Sequence, residues 1–161
     1  MIVLGIDPGP AFSGFVLYDT KARCVTRADK AATLATIVGV MADHAGPVII
    51  ERPTCMGPLG TGVIGHLLDT AWVAGGIEST ARALDCQVST MTRRQVLRSL
   101  GVLSGTGSAD SRVRAACIAD HDQPGRPAVG KKAAPGPLYG VASHAWQALG
   151  LVLAWLESQS R

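Results

Sequence analysis

Aromatic residues are scarce in this 161-residue chain, at only 4% of the total. A protein so poor in aromatic rings does not depend on stacking against many nucleic-acid bases. Long apolar runs are missing as well. The nearest candidate, Ala148 to Leu156, falls far short of the ~20 residues that a membrane span needs, and reads as a buried helix end. The N-terminus shows no basic region and no cleavage site, so a cytoplasmic protein is expected, with no membrane partner. Cysteines stand at 24, 55, 86 and 117, none in C-x-x-C spacing. That argues against zinc, and reduced thiols are the default without a secretion signal. Charged residues make up 17% with a net charge of +3, too little by itself to argue for a nucleic-acid partner. What the chain does have is 47% hydrophobic residues. That excludes intrinsic disorder, and the length fits one domain over 1–161 with a real core.

The pattern of apolar residues predicts the elements. Ile2 to Ile6 is a buried strand closed by the turn Asp7-Pro8-Gly9-Pro10. Phe12 to Tyr18 and Cys24 to Arg27 follow with no room for helices, which predicts an antiparallel meander. Leu34, Ile37, Val38 and Met41 recur at helical spacing between Lys30 and His44. Pro47 to Glu51 is the next buried strand, ended by Pro53. A glycine-rich stretch at 57–62 precedes a long helix that runs to Leu84 and carries the stripe Ile64, Leu67, Leu68, Ala71 and Trp72. Gln87 to Met91 is a strand, and Thr92-Arg93-Arg94-Gln95 fits a capping box at a helix start. Gly101 to Gly107 reads as a mobile loop, 108–120 as a helix, 121–138 as an exposed Pro- and Gly-containing loop, and Val141 to Leu156 as the closing helix. Strands first in a meander and then alternating with helices predict an α/β fold, a mixed sheet flanked by helices.

Two carboxylates stand at strand ends. Asp7 closes the first strand beside Gly9, and Glu51 closes the all-apolar Val48-Ile49-Ile50. Either has an ordinary explanation, a turn aspartate for Asp7 and an ion pair with Arg52 for Glu51. If the two strands are adjacent and parallel, however, the carboxylates meet at one edge of the sheet. There they repel unless a divalent cation sits between them. On the closing helix His144 and Gln147 are three apart and share a face. Basic residues gather between 93 and 132: Arg93, Arg94, Arg98, Arg112, Arg114, Arg126, Lys131 and Lys132. Taken by themselves they are better read as an ordinary solvated surface.

These residues resemble a family. Gly5-Ile6-Asp7-Pro8-Gly9 with Gly14, Ile49-Ile50-Glu51-Arg52-Pro53, and Ser143-His144-Ala145-Trp146-Gln147-Ala148-Leu149 resemble the RuvC-type Holliday junction resolvases of the ribonuclease H-like superfamily. The segment from Thr92 through Gly105-Thr106-Gly107-Ser108-Ala109-Asp110 to Val113 is similar to that family's middle region. Pro135-Gly136-Pro137-Leu138-Tyr139-Gly140-Val141 is similar to its phage and prophage branch. The resemblance covers nearly the whole chain and implies a ribonuclease H-like, five-stranded mixed sheet.

It also implies a metal site. Asp7 and Glu51 match the first two metal-binding positions, His144 the third and Gln147 the fourth, where an aspartate is typical. A glutamine oxygen coordinates a hard cation but brings no charge. Asp110 is a candidate substitute, although a helix-start aspartate is also favoured by the helix dipole alone. The implied chemistry is phosphodiester hydrolysis with two Mg²⁺ or Mn²⁺ ions about 4 Å apart, leaving 5′-phosphate and 3′-hydroxyl ends. The implied partner is branched DNA, a four-way junction nicked symmetrically by a homodimer in the bacterial cytoplasm, with no nucleotide cofactor. Arg93, Arg94, Arg98, Arg112, Arg114, Lys131 and Lys132 would contact phosphates. The stripe Ile64 to Trp72 serves either as the two-fold contact or as part of the monomer core. Other readings keep the fold and change the substrate or the outcome, giving a nuclease for other branched DNA or RNA, or a junction binder without cleavage. An actin-like or sugar-kinase-like ATPase shares the Asp-x-Gly turn but needs two such domains.

Overall fold

β1 (Ile2–Asp7) and β4 (Val48–Arg52) lie at the centre of the sheet, and both are nearly continuous apolar runs because helices cover both of their faces. The computed structural model describes residues 1–55 and 61–160. β2 (Ser13–Asp19) and β3 (Cys24–Ala32) extend the sheet antiparallel from β1, while β4 and β5 (Val88–Thr92) extend it parallel on the other side. The resulting five-stranded order is β3-β2-β1-β4-β5. This is the mixed sheet that the meander and the alternation predict.

The two-residue period of a strand divides the core in two. Leu4, Ile6, Phe15, Val48 and Ile50 face α1 (Leu34–Ala42) and α2 (Thr61–Ala83). Val3, Val16, Tyr18 and Ile49 face α3 (Arg93–Ser99), α4 (Ala109–His121) and α5 (Ala145–Gln159). Helix α5 is buried without interruption from Ala145 to Trp155. A helix that is apolar on every side belongs in the middle of a core, and α5 lies over β1, β2 and β4 with α3 and α4 beyond it. No described helix is long and apolar enough to cross a membrane.

Several boundaries differ from expectation for identifiable reasons. β3 continues past Arg27 to Ala32, and α1 starts at Leu34 behind the Thr33 cap rather than at Lys30. β3 is an edge strand with an irregular register, so it tolerates the polar Asp29 and the Lys30 expected to open a helix. Positions 57–60 of the glycine-rich stretch lie outside the described residues, and α2 already includes positions 61 and 62. The stripe on α2 is not core. Ile64, Leu68, Ala71 and Trp72 are exposed and Leu67 is half-buried beside the cleft; among the described side chains of the helix the buried ones are Ala74, Ile77 and Ala81.

The segment 121–138 is no open loop either. β6 (Gly130–Lys131) pairs with β7 (Ala134–Pro135), and Ala128 and Leu138 are buried in the core. A side chain at Gly136 would come within 2.2 Å of the Pro127 carbonyl oxygen, so that glycine serves close approach and not looseness. The capping box at Thr92 and Gln95 forms as expected. The 101–107 loop is held by Arg112, whose Nε donates to the Val102 carbonyl at 3.0 Å and whose Nη1 donates to Gly107 at 2.8 Å. The four cysteines form no disulfide.

A buried polar pair ties α4 to the sheet. His121 Nδ1 lies 2.9 Å from the Cys117 carbonyl oxygen, which only accepts, so the ring proton sits on Nδ1. Nε2 then accepts from the Tyr18 hydroxyl at 2.8 Å. Burial holds the His121 pKa below its ordinary value, against the Cys117 carbonyl and Asp120, and pushes the Tyr18 hydroxyl up to about 12. Above pH 6.5 folded and unfolded chains both carry a neutral ring. Below it the unfolded chain binds a proton that the folded chain refuses, so stability falls as pH drops. Urea unfolding should show wild-type stability falling, as pH drops below about 6.5, by up to ~1.4 kcal/mol per pH unit more steeply than that of His121→Gln. Parallel curves would mean that the folded chain protonates the ring as readily as the unfolded one.

Candidate functional site

Register brings the two carboxylates together. Ile6 pairs with Ile50 in the parallel β1–β4 ladder, so Asp7 and Glu51, each one residue further on, stand side by side. The alternation that turns Ile6 and Ile50 toward α1 and α2 turns Asp7 and Glu51 toward α5. Both are buried, at 7% and 8% exposure.

Two glycines let α5 reach them. A Cβ at Gly5 would lie 2.5 Å from the Ala148 carbonyl oxygen, and one at Gly14 would lie 2.5 Å from the His144 carbonyl carbon. Only bare backbone permits such contact. Ser143 precedes the helix in the left-handed region at φ 46°. His144 follows with its Nδ1 3.1 Å from Asp7 Oδ2, and Gln147 is buried one turn along. The hydrogen bond to Asp7 raises the His144 pKa against a smaller opposing effect of burial.

Arg93, the first residue of α3, reaches into the same place. Its Nε lies 3.4 Å from Glu51 Oε1 and its Nη2 lies 3.2 Å from Asp110 Oδ1, while Nη1 donates to Gln147 Oε1. Gln147 Nε2 in turn donates to the Asp110 carbonyl oxygen at 3.5 Å. Burial pushes the Glu51 carboxyl up to about 7; Arg93 opposes this, and Asp7 and Asp110 add to it. Glu51 Oε2 is buried with no hydrogen-bond partner. Asp7, Glu51, Arg93, Asp110 and His144 line a cleft of about 820 Å³ that also includes His66 of α2, while Gln147 opens into a neighbouring cavity shared with Asp110 and His144.

Of the residues singled out from the sequence, Asp7, Glu51, His144, Gln147 and Asp110 therefore come together, and Arg93 lies among them with only 18% of its side chain exposed. Arg94, Arg98 and Arg114 are exposed on α3 and α4, and the Arg114 guanidinium sits 5.5 Å over the Trp146 ring. Arg112 directs its donors at loop carbonyls instead of outward. Lys131 and Lys132 are exposed on the β6–β7 pair. Their segment is anchored where the Val25 N–H donates to the Pro137 carbonyl, near the Cys24 end of β3 and away from the end that meets Asp7. Sequence reasoning missed that Arg93 lies inside the site and that His66 lines it. Helical spacing put His66 on α2 but gave no signal of which wall that helix would form.

The donor set suits a hard divalent cation in one place. Asp7 and Glu51 offer adjacent carboxylate oxygens, and Glu51 Oε2 is an orphaned buried acceptor that a cation would satisfy. The other side of the site suits one poorly. Gln147 Oε1 and Asp110 Oδ1 are held by Arg93, and no three His, Cys, Asp or Glu groups among the described residues close into a ligand cluster.

The mixed five-stranded sheet, with a closing helix laid across its central strands, is a ribonuclease H-like fold. Within that class the chain is similar to RuvC of Thermus thermophilus. It superposes on that structure with a TM-score of 0.63 and 18% sequence identity, covering 99% of this chain and 96% of the other. A second structure of Thermus thermophilus RuvC, in complex with a Holliday junction substrate, superposes with a TM-score of 0.62 at the same identity and coverage. No family model and no curated protein matches the chain by sequence.

Proposed function

We propose that the chain is a divalent-metal-dependent endonuclease that nicks four-way DNA junctions, leaving 5′-phosphate and 3′-hydroxyl ends. The observation that carries this reading is the pairing of Asp7 with Glu51 at adjacent strand ends, closed over by His144 of α5, on the fold of RuvC. Asp7 and Glu51 would hold Mg²⁺ or Mn²⁺, which when bound supplies an activated water and charge neutralisation at the phosphate. His144 orients the Asp7 carboxylate through Nδ1 and keeps a proton beside it at the mouth of the cleft. Burial of both carboxylates keeps bulk water from competing for them.

Arg94, Arg98 and Arg114 would take the phosphate backbone, giving salt-sensitive binding with little reading of sequence. Lys131 and Lys132 would contact DNA only along a more distant arm. Exposed Ile64, Leu68 and Trp72 on α2 would pair two copies, so that two sites make paired nicks.

The test is cleavage of a four-way junction, a fork, a flap and an RNA–DNA hybrid in Mg²⁺ and in Mn²⁺. Paired junction nicks at least about tenfold faster than cuts in the other substrates are expected, a difference of ~1.4 kcal/mol in the barrier. Equal cutting of all four would overturn junction selectivity. The bond from Arg93 to Gln147 favours one second reading, a junction-binding protein without cleavage. Tight binding with no cut in either metal selects that reading.

A further inference from the structure

Arg93 sits where local rules disfavour it. A cation at the first residue of a helix opposes the helix dipole, yet the Arg93 side chain is mostly buried. It is held from three directions by Glu51, Gln147 and Asp110. Violations of this kind gather at functional sites.

The charges agree with a purpose there. Asp7, Glu51 and Asp110 bring three negative charges when ionised, and Gln147 brings none. With His144 neutral, Arg93 and one divalent cation balance them; Arg93 and two divalent cations leave an excess of two positive charges. The donors agree too. Asp7, bonded to His144 through Oδ2, and the orphaned Glu51 Oε2 remain available to an ion, whereas Gln147 Oε1 and Asp110 Oδ1 are engaged by the guanidinium.

We propose that Arg93 is a built-in second cation: the cleft takes one divalent ion at Asp7 and Glu51, and the Arg93 guanidinium, fixed between Glu51, Gln147 and Asp110, occupies the place of another. The inference rests on reading this cleft as that of a metal-dependent nuclease. An arginine is always charged and presents several donors in a rigid plane, so it can face a phosphate oxygen without a bound metal's need for further ligands. Its positive charge is present before the substrate arrives, and no reorganisation is needed when negative charge develops on the phosphate. Arg93 and Gln147 then act as a matched pair. The neutral amide accepts from the guanidinium, where a carboxylate would draw in a second metal.

The experiment counts Mn²⁺ on the full-length chain by calorimetry and by electron paramagnetic resonance. The unmodified protein should bind one Mn²⁺ per chain and give the six-line spectrum of an isolated ion. Arg93→Ala combined with Gln147→Asp should bind two and show exchange coupling between neighbouring ions, with circular dichroism confirming that the variant folds. Two coupled ions in the unmodified protein would overturn the inference whatever the variant does, as would a folded variant that still binds one. Two ions together with junction cleavage would overturn this inference alone. No Mn²⁺ binding and no cleavage would overturn the nuclease reading with it.

Discussion

Asp7→Asn is expected to abolish junction nicking while junction binding survives. Asparagine keeps the size of the side chain and an oxygen for His144 Nδ1, but it removes one of the two buried charges available to a cation. Changes to the outer shell of a metal site already cost about 10–100-fold. Loss of a direct ligand should therefore lower nicking by more than about a hundredfold. Binding should hold because it is assigned to the exposed arginines, whose contribution does not pass through Asp7. The fold is expected to survive the substitution, which circular dichroism checks. Asp7 adds to the upward push on the Glu51 carboxyl, so removing its charge relieves a repulsion in the folded chain. Single-turnover nicking and a mobility-shift titration on the same junction measure the two halves. Nicking within about tenfold of the unmodified protein would remove Asp7 from the chemistry.

The second large effect is on stability. Gly5→Ala places a methyl 2.5 Å from the Ala148 carbonyl oxygen and 2.6 Å from Val152 Cγ2. The first of these is backbone in the buried first turn of α5 and cannot rotate away, so α5 must lift from β1. Overpacking of a tight core costs about 1–3 kcal/mol, and this contact belongs at the upper end. For a chain of this size the melting temperature should fall by roughly 5–10 °C. Gly75→Ala is the matched control. It lies in α2 with nothing within 4 Å of the added carbon, so it should be neutral or gain up to ~1 kcal/mol from helix propensity. Equal melting temperatures for Gly5→Ala and the unmodified chain would mean that α5 has room to spare.

Much of this arrangement can be read in the sequence, because it rests on short-range pattern. Apolar runs ending in Asp7 and Glu51 locate the central strands, and the period of two makes both carboxylates face the same way once the strands are parallel neighbours. The Thr92–Gln95 capping box is local chemistry and forms as expected. Arg93 is misread for the opposite reason. Its role depends on β5 delivering the start of α3 beside β4, a long-range fact that a cluster of nearby basic residues obscures. Arg112 is obscured in the same way, since only the folded 101–107 loop turns its carbonyls toward the guanidinium. The segment 121–138 misleads through composition. Its glycines and prolines signal a loop, and they also permit the tight β6–β7 pair that buries Leu138. The α2 stripe shows the limit of periodicity, which finds an apolar face but does not say whether the monomer covers it.

The enclosure of α5 has a consequence for how the protein ages and is turned over. Many enzymes carry their reacting groups on loops that open locally, well before the rest of the molecule gives way. Here His144 and Gln147 ride on the helix whose buried face runs unbroken from Ala145 to Trp155. That helix cannot leave the sheet without exposing the core shared by β1, β2 and β4. Its amides belong with the slowest-exchanging set, released only by global opening. A protease that nicks an outlying segment therefore leaves α5 in place, and the conditions that carry His144 and Gln147 off the sheet are those that unfold the chain.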